Sequence, residues 1–203
     1  MWDLKTEDPR VQKILSAYIQ SLKACGVDGI RWDAIKHVGL PSENDSFMAN
    51  VVDQDMYNYG EILNTPGPNP DKLFKEYTQY MSVTDNTYGN DVTQAFAAGG
   101  TSKLKGNLVF RGIKGNKLVY WGESHDTYSN SGRDAWSKYV DQQFIDRSYA
   151  IMAGNNDATT LYYSRPLGKE AKDIIFGAKG STHFTAPQVA EVNHMHNKCA
   201  GEP

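Results

Sequence analysis

Val27-Asp28-Gly29-Ile30-Arg31-Trp32-Asp33 reads as a β-strand, and its surroundings decide the fold. A period of two sets Val27, Gly29, Arg31 and Asp33 on one face, and Asp28, Ile30 and Trp32 on the other. Just upstream, Val11, Ile14, Leu15, Tyr18 and Leu22 recur at helical spacing over residues 11–24. Asp8-Pro9 supplies the start signal of that helix and Gly26 its stop. The pattern then repeats. Helical stretches at 46–53, 71–80, 91–98, 142–153 and 186–200 alternate with strands at 56–62, 82–85, 117–121 and 159–163. Pro66, Pro68 and Pro70 mark a loop, and Gly115-Asn116 a turn. Such alternation builds a parallel α/β fold, either an open doubly wound sheet or part of a (β/α)8 TIM barrel.

Composition narrows the function classes. A chain of 203 residues makes one domain or at most two. With 39% hydrophobic and 22% charged residues it reads as neither a disordered tail nor a membrane protein. No run approaches the roughly 18 apolar residues of a membrane span. The 21 basic and 24 acidic residues are mixed along the chain, so no positive face is built for nucleic acid. Cys25 and Cys199 exclude a disulfide scaffold and lack zinc-site clustering. Cys25, at a helix end, reads as a buried small hydrophobe. Residues 1–8 carry neither the basic start nor the apolar stretch of a signal peptide.

The chemistry gathers at strand ends. Arg31 and Asp33 share a face at the C-terminal end of their strand, where parallel α/β folds build their sites; a structural ion pair capping the strand would look the same. Tyr57, Tyr59 and Glu61 repeat the design on the second strand. The stretch Leu118-Val119-Tyr120-Trp121-Gly122-Glu123-Ser124-His125-Asp126 closes an apolar run with a His-Asp pair. Carboxylates in apolar surroundings are costly, so three strands ending in acids point to function or to compensating partners. The spacing leaves room for one and then two βα units between them, so the three acids would ring the mouth of a barrel.

Gly29-Ile30-Arg31-Trp32-Asp33-Ala34-Ile35-Lys36-His37 resembles the second short motif of the alpha-amylase family, Gly-x-Arg-x-Asp-Ala-x-Lys-His, with every defined position present. Tyr59-Gly60-Glu61-Ile62-Leu63 is similar to the third motif and His125-Asp126 to the fourth. The lead-in Asp3-Leu4-x-Thr6 and Asn193-His194-x-His196-Asn197 are also similar to this family. The resemblance implies Asp33 as nucleophile, Glu61 as general acid/base and Asp126 as the acid stabilising the transition state. It implies that Arg31 holds Asp33, that His125 hydrogen-bonds the sugar being cleaved, and that Lys36 and His37 contact the leaving-group side. The reaction so implied is hydrolysis of α-1,4 bonds in a glucan polysaccharide or oligosaccharide, with retention. Transglycosylation by the same acids, and a non-catalytic barrel relative used for binding, are the alternatives. Arg31 beside Asp33 would favour the carboxylate a nucleophile needs, while Glu61 among tyrosines and other acids would be pushed toward its neutral form.

The resemblance also implies a structural calcium, with Asp3 as a carboxylate ligand and His37 giving its backbone carbonyl. The remaining ligands would lie upstream of Met1. Some members bind chloride through the matched arginine, an asparagine and a third basic group. Here Ser124 stands at the asparagine and Thr159 or Thr160 at the basic group, so no chloride dependence is expected. His194 and His196, two apart on a helix, point away from each other and read as packing or surface residues. Trp121 and Tyr128 suit sugar stacking and core packing equally. By the family's pattern residues 1–203 form a single region, the back half of the barrel, roughly strands four to eight. The N-terminal strands and the C-terminal β domain would be absent, and this half alone is expected to be inactive. An extracellular location follows from the resemblance alone, and no protein partner is evident.

Overall fold

The computed structural model describes residues 4–63, 70–100, 104, 108–130, 135–155, 157–167 and 179–202, which fall into two compact units. The first runs to Thr84 and the second begins at Asp85. Asp3, and the loop positions Pro66 and Pro68, lie outside the described residues.

In the first unit, helix α1 spans Pro9–Ala24. The Asp8 carboxylate accepts the Arg10 backbone N–H at 2.8 Å, satisfying one of the donors that a helix start leaves open, and Pro9 fits where no N–H is needed. At the other end Gly26 sits at φ +89°, a left-handed turn that a glycine takes without strain, and strand β1, Gly29–Trp32, follows. Strand β2, Tyr57–Gly60, runs parallel to β1 with Gly29 opposite Tyr57 and Trp32 opposite Gly60. Strand β3, Ser82–Thr84, runs parallel to β2, with Tyr59 opposite Ser82. Helices α2, Phe47–Val51, and α3, Pro70–Tyr77, supply apolar residues to the interior: Phe47, Met48, Val51, Phe74 and Tyr77 are buried, as are Ile62 and Val83.

Polar ties fix these pieces. The Trp32 indole N–H donates to Asn58 Oδ1 at 2.9 Å while its ring meets Phe47 edge-on at 6.0 Å. The Tyr77 hydroxyl donates to the Val38 carbonyl at 2.6 Å and lies 2.8 Å from that of Ile35, tying α3 to the segment after β1. Buried Gln12 of α1 accepts from Ser46 and Asn50 and donates to the Thr6 carbonyl, so its amide is fully used.

The second unit opens with α4, Asn86–Ala97, capped by Asp85, and continues with β4, Leu118–Trp121, α5, His125–Ser129, and α6, Gln142–Ala153. Strand β5, Thr159–Leu161, and α7, Pro187–Cys199, complete it. β4 and β5 are parallel, with Val119 opposite Thr159 and Trp121 opposite Leu161. Every residue of β4 is buried, as expected of a strand covered on both faces. Gly89 lets α4 lie directly on the end of β4, since a Cβ there would come within 1.9 Å of the Trp121 carbonyl oxygen.

Each expected strand is present and one to three residues shorter than its sequence pattern. α4 starts five residues before the expected position, at Asn86 rather than Asp91. Cys25 corrects the sequence reading: it is exposed, because α1 ends there and turns its last residues to solvent. No helix among the described residues is long and apolar enough to cross a membrane.

Candidate active site

In the first unit the chemistry lies just past the C-terminal ends of β1 and β2. The register sets Arg31 opposite Tyr59, and the next residues out are Asp33 and Glu61. One guanidinium serves both acids: Arg31 Nη1 is 2.5 Å from Asp33 Oδ1, and Nη2 is 3.1 Å from Glu61 Oε1. The other Glu61 oxygen accepts the Ala34 backbone N–H at 2.9 Å, and the Glu61 N–H donates to the Trp32 carbonyl at 2.9 Å. Ala34 meets that carboxylate from a left-handed conformation, φ 47° and ψ 34°, unusual for a residue with a Cβ.

The two acids differ in access. The Asp33 side chain is 76% exposed and that of Glu61 only 13%. Burial works against the Arg31 charge, but the hydrogen bond it donates to Asp33 and the field of Glu61 outweigh it and hold the guanidinium above its ordinary range. Half-burial raises the Tyr59 phenol, with Arg31 opposing. Glu61 is set against a cation and a backbone donor, because the fork of Arg31 spans two neighbouring strands.

Beyond Asp33 a 3-10 turn, Ile35–His37, carries the rest of the motif. Lys36 turns back and donates from Nζ to the Leu63 carbonyl, beside Glu61 in sequence, while His37 is exposed. The second unit holds the other matched pair. His125 and Asp126 open α5, where Ser124 caps the helix and exchanges hydrogen bonds with Thr127. His125 Nε2 lies 3.5 Å from Asp126 Oδ1, and Asn130 donates to the same oxygen at 3.4 Å. The two side chains are 61% and 32% exposed.

Sequence reading missed two features of this unit. Glu123, wholly buried, pairs with Arg165: Nε reaches Oε1 at 2.8 Å and Nη2 reaches Oε2 at 3.0 Å. Buried Asp146 on α6 accepts from Tyr162 at 2.7 Å, His183 at 2.8 Å, Gln142 at 3.2 Å and Gln188 at 3.2 Å. The partners lie too far apart along the chain to be read together, Arg165 being 42 residues from Glu123 and His183 37 from Asp146. Of the histidines on α7, His196 donates to the Ala153 carbonyl at 2.8 Å, which joins α7 to α6.

No family model matches the sequence. Curated relatives do. The alpha-amylase of Butyrivibrio fibrisolvens is 28% identical over 235 aligned residues, covering 97% of this chain and 24% of that protein. The alpha-amylase of Clostridium acetobutylicum is 26% identical, covering all of this chain and 26% of the relative. The chain therefore spans about a quarter of the length of these two relatives. Among solved structures, alpha-amylase I of Eisenia fetida in complex with maltohexaose superposes with a TM-score of 0.66 at 18% identity, over 99% of this chain and 48% of that one. A gamma-CGTase from an alkalophilic Bacillus clarkii gives 0.59 at 19% identity over 79% of this chain. The fold is thus α/β, that of part of a (β/α)8 barrel. Its homologues along the whole chain are alpha-amylases.

Proposed function

We propose that these residues form the catalytic part of a retaining glycoside hydrolase of the alpha-amylase type, acting on α-1,4-linked glucans. The observation that carries the proposal is the single guanidinium of Arg31 gripping Asp33 and Glu61 at the ends of adjacent parallel strands. Retaining glycosidases need two carboxyl groups about 5–5.5 Å apart, one to attack and one to protonate. Asp33, open to solvent and bound to a cation, attacks the anomeric carbon and forms a glycosyl ester. Glu61 gives its proton to the departing glycosidic oxygen, then takes one from the water that cleaves the ester. One Glu61 oxygen faces the Arg31 guanidinium at 3.1 Å, and the other accepts the Ala34 N–H at 2.9 Å. Asp126 as the third acid, and His125, Lys36 and His37 as sugar contacts, rest on the motif resemblance.

The test is Asp33→Asn in the product of the complete coding sequence, assayed on maltooligosaccharides. Turnover should fall at least a thousandfold, since losing a nucleophile costs several kcal/mol at about 1.4 per decade. Activity within tenfold of the parent overturns the assignment. Products longer than the substrate would show transfer to sugar in place of hydrolysis.

Calcium enters this proposal by resemblance. His37 would offer one carbonyl, the hard oxygen donor calcium takes, but calcium needs about six to eight oxygens. Among the described residues no group of three or more His, Cys, Asp or Glu side chains is placed to hold a metal, and Asp3 lies outside them. The melting temperature of residues 1–203 with and without millimolar calcium tests it: a rise of several degrees supports the site, and an unchanged value counts against it in this chain.

A further inference from the structure

We propose that Arg165 and Glu123 are positioning residues that set the His125-Asp126 pair, an inference that rests on the glucan-hydrolase reading of that pair. Arg165 grips the chain on both sides of it. Before the pair, its Nε and Nη2 hold the Glu123 carboxylate at 2.8 and 3.0 Å. After the pair, its guanidinium lies over the Tyr128 ring, 5.1 Å from the centroid. The residues between 123 and 128 therefore have both ends fixed by one side chain. Nη2 also donates to the carbonyls of Ser137 at 3.1 Å and Val140 at 2.9 Å. Ser137 closes the circuit, because its hydroxyl donates to Thr127 Oγ1 at 3.0 Å, and Thr127 in turn bonds the Ser124 cap.

A stability role alone explains this arrangement poorly. Glu123 is fully buried, and burial raises its carboxyl above the ordinary range even against the pull of Arg165. Buried ion pairs are often matched or bettered by apolar residues of similar size, while they fix geometry that an apolar pair leaves loose. The planar fork of an arginine suits this use: it meets the carboxylate through Nε and Nη2, and Nη2 reaches the two carbonyls as well. His125 and Asp126, by contrast, are partly open and have few ties of their own.

The experiment compares amide hydrogen exchange in the parent chain, in the double variant Glu123→Leu/Arg165→Met, and in Arg165→Lys. The double variant leaves no unpaired buried charge, and Arg165→Lys keeps the charge while losing the fork, so it decides the matter if the double variant does not fold. Exchange at Thr127, Tyr128 and Ser129 should rise at least tenfold in either variant, with β4 and α6 unchanged. In the complete enzyme kcat on maltooligosaccharides should fall while KM stays within about twofold. Unchanged exchange at 127–129, or an equal rise in β4 and α6, overturns the positioning role. A complete enzyme without glucan turnover would sink the hydrolase reading, and the exchange data would still decide what Arg165 holds.

Discussion

At the scale of single residues, the most constrained position is Ala34, between the exposed acid Asp33 and the backbone contact to Glu61. A left-handed conformation costs a non-glycine residue about 1–2 kcal/mol, more when the side chain is branched at Cβ. Such strain persists where surrounding contacts insist on it, and here the Ala34 N–H is aimed at a carboxylate. Ala34→Gly should be near neutral, within about 0.5 kcal/mol, because relief of strain offsets the greater freedom of the unfolded chain. Ala34→Val should lower stability by about 1–2 kcal/mol. Thermal unfolding of the two variants checks this, and a valine variant as stable as the glycine one would show that the turn is not left-handed. The motif around this turn was legible in sequence because every group in it lies within nine consecutive residues. What the sequence hid was the sharing of Arg31 by Glu61, which only the parallel register of two strands creates.

Among the elements, the contact of α4 with β4 and the ties of α6 to α7 carry distinct expectations. Gly89→Ala would improve helix propensity by about 1 kcal/mol, yet its methyl would meet backbone at Trp121, which cannot swing aside. The clash wins. A net loss of about 1–3 kcal/mol is expected from chemical denaturation, and a stabilised variant would mean α4 stands off the strand. Asp146 works differently. Burial pushes its carboxyl up, but hydrogen bonds from His183, Tyr162, Gln142 and Gln188 prevail and hold it below the usual range. Its folded value is thus the lower one, so its stabilisation is complete above about pH 4 and lost as pH falls through the folded value. Asp146→Asn should cost about 1–2 kcal/mol at pH 7 and flatten the acid limb of the stability profile. An unaltered acid limb would clear Asp146 of that role. Sequence reading found α6 to the residue because its apolar period is strong. It began α4 late because Asn86, Thr87, Tyr88 and Gly89 are weak helix formers, held in place by the Asp85 cap and by close packing on β4. The Glu123–Arg165 pair escaped it because 42 residues separate the partners.

Over the whole molecule, burial is uneven among the strands. β3 and β4 are buried throughout, whereas Arg31 on β1, Tyr57 on β2, and Thr159 and Leu161 on β5 are exposed. Parallel strands normally have both faces covered, and half-open ones offer backbone and apolar surface to other chains. Residues 1–203, produced alone, should therefore sediment as species larger than 22.6 kDa. A monodisperse monomer with a cooperative melt would refute this. Cys25 and Cys199 add a chemical consequence, since both lie at helix ends with exposed side chains. In a reducing buffer, association through the strands would come and go with dilution. In air, a thiol on one molecule meeting a thiol on another would lock a passing encounter into a covalent one, leaving a ladder on a gel run without reductant.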